Sequence, residues 1–287
     1  MSAVESTLSV TPLESAIWAR AIVSLPSLPS AFIAAVELLS NDDASTSACI
    51  AAIERDQALT VRVLRLANSP FYGAGGKVSR IGDAVQMLGL RTVASALAAI
   101  SLRTALGSLP CKGFCFATYW RHTLCTAIAA RELAQVASLD AGEAFLLGLV
   151  HDVGQLILAM TSPELESQAL ELVRSEGLAM HEAEQQLLGV THAEVGAVVV
   201  KQWNFPASFV DAIADHHQPI LAPAEGNPSL PFLIHLADQM AHGLETSPGD
   251  METLLKDPLL SVLGRSEEQL RDMTQRIADE LQVMSCA

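Results

Sequence analysis

Eight histidines are the residues of this 287-residue chain best suited to chemistry, and none precedes position 122. His151 is followed at once by Asp152, inside Gly148-Leu149-Val150-His151-Asp152-Val153-Gly154. Between Ala144 and Met160 this doublet carries the only titratable groups, so Asp152 sits in a stretch built for burial. A buried carboxylate must be paired, hydrogen-bonded or bound to a metal. Imidazole nitrogens and carboxylate oxygens together suit a divalent transition ion such as Fe, Mn, Zn or Ni. A second doublet, His216-His217, falls at the end of another helical stretch, and His122 lies near the start of a long one. Taken singly, each histidine could equally be a hydrogen-bonded core residue. Two doublets near helix ends in the same half of the chain are more specific than any member alone.

Helices must position these groups. Hydrophobic residues make up 50% of the chain and aromatics only 5%, so the core is Leu, Ala, Val and Ile, a composition rich in helix formers. No segment shows sustained alternation bounded by hairpin turns, and the fold expected is all-α. Amphipathic or apolar stretches predict helices over 13–23, 30–40, 47–55, 59–67, 81–88 and 91–106. Pro26 and Pro29 exclude a helix between the first two. Asp56 is placed to cap the fourth and Gly89 to stop the fifth. Gly107, Pro110 and Gly113 mark the best boundary, giving an N-terminal subdomain over 1–107 and a second over 108–287. Longer helices are expected after it, over 116–137, 141–160, 163–176, 180–186, 191–203, 206–216, 232–244, 251–255 and 266–283.

Composition excludes several roles. Against 32 acidic side chains stand 17 Lys and Arg, a net charge of -15, which offers no overall positive surface for nucleic acid or for an anionic membrane. Arg62, Arg65, Lys77, Arg80 and Arg91 are a local basic exception that reads first as a solvated face. The stretch Thr92–Leu102 is the best membrane candidate and is far short of a span of about 20 residues. The N-terminus lacks the basic and apolar regions of a signal peptide, and the five cysteines are an odd number; a cytoplasmic protein with free thiols is expected. Cys111 and Cys115 have no second pair for a zinc ribbon, and Gly73–Gly76 follows no strand, so it is no phosphate loop.

Several motifs in order resemble the HDOD family. Leu25-Pro26-Ser27-Leu28-Pro29 is similar to its "LP-x-LP" opening, and Asp56 with Val63-Leu64-Arg65-Leu66-Ala67-Asn68-Ser69 to its "DP-x-L … VLRLANS" segment, with Gln57 for the usual proline. Ile81–Leu90, Tyr119-Trp120-Arg121-His122, Gly148–Gly154, Glu184–Gly196, Trp203–Pro206 and His216-His217 continue the resemblance, which covers roughly residues 24 to 245. It implies an N-terminal bundle of short helices followed by a C-terminal HD-like bundle. It also implies a role in bacterial signalling through contacts with a protein partner or a nucleotide ligand, phosphohydrolase activity having been lost in many members.

The wider HD superfamily binds one or two metal ions through a His, a His-Asp doublet and a late Asp, which here match His122, His151, Asp152 and Asp238. Its cyclic-dinucleotide phosphodiesterase branch adds histidines that match His192, His216 and His217. The resemblance therefore leaves two readings: a regulatory protein, or a metal-dependent phosphohydrolase with Asp152 at its centre. Two departures bear on the second. The branch's lysine three residues after the doublet is Gln155, removing a positive charge useful to a phosphodiester transition state. Its Gly-Tyr-Pro segment is replaced by Gln218-Pro219-Ile220 after the histidine pair. His181, His235 and His242 match no motif and read as structural or surface residues, and Glu184 is a candidate for orienting a histidine.

Overall fold

The computed structural model describes residues 27–40, 45–72, 78–106, 111–218, 228–245, 255 and 258–285, and among them there is no strand. Helices α1 (Ser30–Ser40), α2 (Thr46–Glu54), α3 (Gln57–Ala67), α4 (Ile81–Leu88) and α5 (Leu90–Leu106) form the first group. The second comprises α6 (Phe116–Ala137), α7 (Ala141–Val150), α8 (Val153–Thr161), α9 (Pro163–Glu176), α10 (Met180–Leu188), α11 (His192–Gln202), α12 (Ala207–Asp215) and α13 (Leu230–Glu245). A short α14 (Pro258–Ser261) and the long α15 (Glu267–Ser285) are the last of the described helices. The expected helix over 13–23, the glycine loop at 73–76 and most of the helix expected over 251–255 lie outside the described residues.

Local sequence signals explain the boundaries in the first group. The Asp56 carboxylate accepts hydrogen bonds from the Ala58 and Leu59 amides, at 2.8 and 3.1 Å, and so caps α3. Leu59, Val63 and Leu66 recur at helical spacing and are all buried. Asn68 ends that helix and does more: its side-chain amide donates to the Leu64 and Val78 carbonyls and its oxygen accepts from the Val78 amide. The Asn68-Ser69-Pro70 motif is thus a helix stop that clamps the chain ten residues on. Gly89, at φ +83°, turns the chain sharply, and α4 and α5 meet at 117°. Helix α5 is apolar almost all round because it is packed against α1, α3 and α7.

In the second group α6 is the central post, contacted by α7, α13 and α15. The sequence predicts one helix from 141 to 160; the structure breaks it at the doublet. His151 keeps helical angles, but Asp152 (φ -98°, ψ 13°) leaves them, and α8 starts afresh at Val153. Apolar residues continue on both sides, so the pattern carries no mark of the bend. Among the described residues, Ala141–Thr161 is long and apolar enough to cross a membrane, as is the sharply bent pair α4–α5 around Thr92–Leu102 if taken together; 83% of the best window of Ala141–Thr161 is buried inside the molecule, as in a core helix.

Two glycines let α7 and α8 approach their neighbours. A Cβ on Gly148 would lie 2.7 Å from the Ala127 Cα, and one on Gly154 only 1.9 Å from the His192 carbonyl oxygen. The second approach brings the doublet against the start of α11. Finally, α15 lies on α6 and reaches back to the first group. The Arg131 guanidinium donates to both oxygens of Glu280, one at 3.0 Å, and the Tyr72 hydroxyl donates to the same carboxylate at 3.1 Å. One continuous hydrophobic core runs through both groups of helices.

Candidate metal centre

The break at Asp152 sets the doublet among residues from four other helices, two of which contribute by an end. His122 comes from α6, His192 is the first residue of α11, His216 and His217 follow α12, and Asp238 comes from α13. All seven residues singled out in the sequence meet in one cluster, joined by His242. Their donor atoms fall into overlapping groups, each within 4.8 Å: Asp152, His192, His216 and His217; His122, His151 and Asp152; and His122, Asp238 and His242.

Hydrogen bonds fix the imidazole tautomers. His151 Nδ1 lies 2.7 Å from the Gly148 carbonyl, and His216 Nδ1 lies 2.7 Å from the Ile213 carbonyl. A carbonyl only accepts, so both Nδ1 atoms carry the proton and both Nε2 atoms present a lone pair. Those Nε2 atoms, and Asp152 Oδ1, are buried with no hydrogen-bond partner. His216 Nε2 lies 3.4 Å from Asp152 Oδ1, and His151 Nε2 lies 3.4 Å from Asp152 Oδ2. Acceptor faces acceptor, an arrangement that a proton on the imidazole, or a metal ion, would relieve.

The spacing also fits one. Donors sharing a tetrahedral ion at metal–ligand distances of about 2.0–2.1 Å stand roughly 3.4 Å apart. His192 Nε2 to Asp152 Oδ1 is 3.3 Å, His122 Nε2 to Asp152 Oδ2 is 3.7 Å and His151 Nε2 to Asp238 Oδ1 is 3.7 Å. The donor set therefore fits a divalent ion of the kind expected from the sequence.

Outer partners orient the ring. Glu184 Oε2 accepts from the His192 amide at 2.7 Å and from His192 Nδ1 at 2.6 Å, the histidine-orienting role its position suggests. Glu245 Oε2 lies 3.3 Å from His122 Nδ1. His235 donates from Nδ1 to the His216 carbonyl at 2.8 Å, holding the backbone of the second doublet, and the His181 ring stacks on His217. Gln155 donates to Asp152 Oδ2 at 3.2 Å, a neutral amide where the phosphodiesterase branch has its lysine.

Charge in the cluster is divided between its acids and two of its histidines. Burial opposes ionisation of Asp152 and Asp238, but the histidines around each outweigh it and hold both carboxylates well below their usual range. Burial likewise opposes a charge on His122, and hydrogen bonds with Asp238 and Glu245 overcome it and hold the ring up at about 10. His192 is raised against its burial by Glu184 and Asp152. Burial keeps His216 and His217 low, His217 at about 2, with neighbouring histidines adding to the effect there. His242 and Glu245 escaped the sequence reading although a signal existed: Asp238, His242 and Glu245 stand at i, i+4 and i+7 on one face of α13.

Comparison with known proteins places this geometry in context. The HDOD domain family matches residues 25–219. An HDOD domain protein of unknown function from Geobacter sulfurreducens has a TM-score of 0.78 and 26% identity, covering 95% of this chain and 98% of that one. A "Putative phosphohydrolase" from Shewanella amazonensis SB2B has a TM-score of 0.74 and 27% identity, with coverage of 95% and 98%. An uncharacterized protein of Treponema pallidum (strain Nichols) is 26% identical over 272 residues; the match takes in 93% of this chain and about half, 51%, of that protein's length.

Proposed function

The chain belongs to the HDOD family, and from that premise we propose that it is a cytoplasmic bacterial regulatory protein with a buried divalent-metal centre, acting by contact with a signalling partner or a small ligand. The observation that carries the metal is the pair of lone-pair nitrogens, His151 Nε2 and His216 Nε2, facing opposite oxygens of one carboxylate. Asp152 Oδ1 faces His192 and His216, and Oδ2 faces His122 and His151, so Asp152 would serve donors on both of its sides and the cluster has room for one or two ions. The metal ligands would be His122, His151, Asp152, His192, His216, His217 and Asp238, and the ion Fe, Mn, Zn or Ni. The bundle holding them is assigned to a subdomain over 108–287, beside an N-terminal subdomain over 1–107. The net charge of -15 supports neither a nucleic-acid nor a membrane partner.

Two features support regulation rather than turnover. His122, His151, Asp152, His192, His216 and Asp238 have side chains only 0–8% exposed, which leaves a substrate little access. Gln155 ties Asp152 with an amide and supplies no positive charge. The second reading is a metal-dependent phosphohydrolase acting on a nucleotide or cyclic dinucleotide; the complete donor set and the likeness to the Shewanella protein favour it. In that reading the metal would supply an activated water, Asp152 would hold the ions, and Gln155 would fix the Asp152 carboxylate.

The deciding experiment is elemental mass spectrometry on the purified chain beside Asp152→Ala, followed by assay of both against cyclic dinucleotides. One or two equivalents of metal in the parent, none in the variant, and no hydrolysis by either is the expected result. Metal-dependent hydrolysis lost in the variant would establish the second reading. A parent that takes up no metal after anaerobic reconstitution would refute both.

A further inference from the structure

His242 is absent from every motif the chain displays, yet it stands over one side of the cluster. Its Nε2 lies 3.5 Å from Asp238 Oδ1, the same oxygen that His122 Nε2 approaches to 2.9 Å. The His242 and His122 rings lie against each other with centroids 4.4 Å apart. Glu245, one turn further along α13, holds His122 from its other nitrogen. The donor atoms of His122, Asp238 and His242 thus form a set that shares no member with Asp152, His192, His216 and His217.

The two sets differ in access to water. In the inner set His192 and His216 are fully enclosed, Asp152 is nearly so and only His217 is partly exposed. The His242 side chain is 61% exposed. A ligand that stands mostly in solvent offers an ion a stepwise way out, one bond at a time, whereas an ion held mainly by enclosed donors leaves more slowly.

Resting on the metal-binding reading above, we propose that His242 is a ligand at the rim of the centre and, with His122 and Asp238, makes an outer cation position that exchanges with solvent while the inner position retains its ion. The protein would then carry a resident ion and a second whose occupancy follows the free metal concentration, a basis for sensing divalent cations. Because its side chain is mostly in water, His242 can be replaced without opening the core.

The test uses the full chain stripped with chelator and titrated with Co²⁺, whose visible absorption reports coordination, followed by timed extraction with EDTA. The parent should bind two equivalents, one leaving at least tenfold faster than the other. His242→Ala should weaken the fast equivalent tenfold or more and leave the slow one unchanged, and His242→Asp, which restores a donor, should recover part of the loss. His216→Ala should reverse the pattern and weaken the slow equivalent. Two equivalents bound by His242→Ala with parental affinities and rates would overturn the rim ligand, as would a single equivalent that the substitution does not touch. A parent that binds no Co²⁺ would instead bring down the metal-binding reading itself, so the two failures are distinguishable.

Discussion

Replacing Gly154 by alanine should disrupt both the fold and the metal centre. An added Cβ would lie 1.9 Å from the His192 carbonyl oxygen and 2.8 Å from the Gly196 amide nitrogen, where real Cβ contacts stay beyond 3.0 Å. Both obstacles are backbone, so no side chain can swing aside, and α8 and α11 must separate by about 1 Å. Overpacking of this kind costs about 1–3 kcal/mol, and a backbone clash belongs at the upper end. Alanine's helix propensity offsets about 1 kcal/mol of it, leaving a net loss of roughly 2 kcal/mol. With about 2–4 °C lost per kcal/mol, Tm should fall by roughly 4–8 °C. The displaced residue, His192, is also a candidate ligand, so metal uptake should weaken in the same variant. Gly148→Ala, 2.7 Å from the Ala127 Cα, should show a similar but smaller loss; Gly196→Ala meets the Ile213 γ-methyl at 3.1 Å and backbone no nearer than 3.4 Å, and should cost the least of the three. Thermal melts by circular dichroism with parallel metal titration would measure all three. A Gly154→Ala protein melting within 2 °C of the parent with unchanged metal uptake would refute the close contact of α8 with α11.

Three further outcomes follow from buried charges. Glu184→Gln keeps the shape beside His192 but removes the charge that orients it, and metal affinity measured by competition with a chelating dye should drop about 10- to 100-fold; parental affinity would show that Glu184 is only a packing group. Arg131→Ala leaves Glu280 buried with just the Tyr72 hydroxyl, and urea denaturation should register a loss of about 3–5 kcal/mol, with a loss under 1 kcal/mol arguing against the tie. Glu166 is buried with neither oxygen hydrogen-bonded, and burial, followed by the charge of Glu184, pushes its carboxyl up to about 9 despite His192. Its native pKa lies above the unfolded value near 4.5, so the folded state holds the extra proton, and stability from this group is complete below about 4.5 and declines as pH rises toward 9. Glu166→Gln should therefore melt higher than the parent at pH 8.5 and converge with it near pH 5; parallel profiles would contradict the assignment.

Much of the fold was legible because its punctuation is local. Asp56 and Gly89 act through their own side chain and backbone angle, so the ends of α3 and α4 could be placed from residue type alone. The His151-Asp152 doublet was conspicuous for the opposite reason, as polarity inside an apolar run. The bend at Asp152 was not legible: the apolar residues on either side serve different helices, and nothing in their spacing separates one long helix from two short ones. Gly148 and Gly154 beside the doublet mark that helices come close there, but that the partner of Gly154 is His192 depends on residues nearly 40 positions apart and has no local mark. His242 and Glu245 had a visible helical spacing from Asp238, but that spacing becomes informative only once α13 is known to face His122.

The carboxylate shared by Arg131 and Tyr72 also has a consequence in time. Tyr72 and Glu280 are 208 residues apart in the chain. At roughly 5–20 residues per second of synthesis, about 10–40 s pass between the ribosome adding one and adding the other. Arg131 is 149 residues before Glu280, so for about 7–30 s of that interval the face of α6 that α15 will cover has no final partner. The nascent chain must hold this surface open or lend it to a chaperone, and arrival of the last helix closes it.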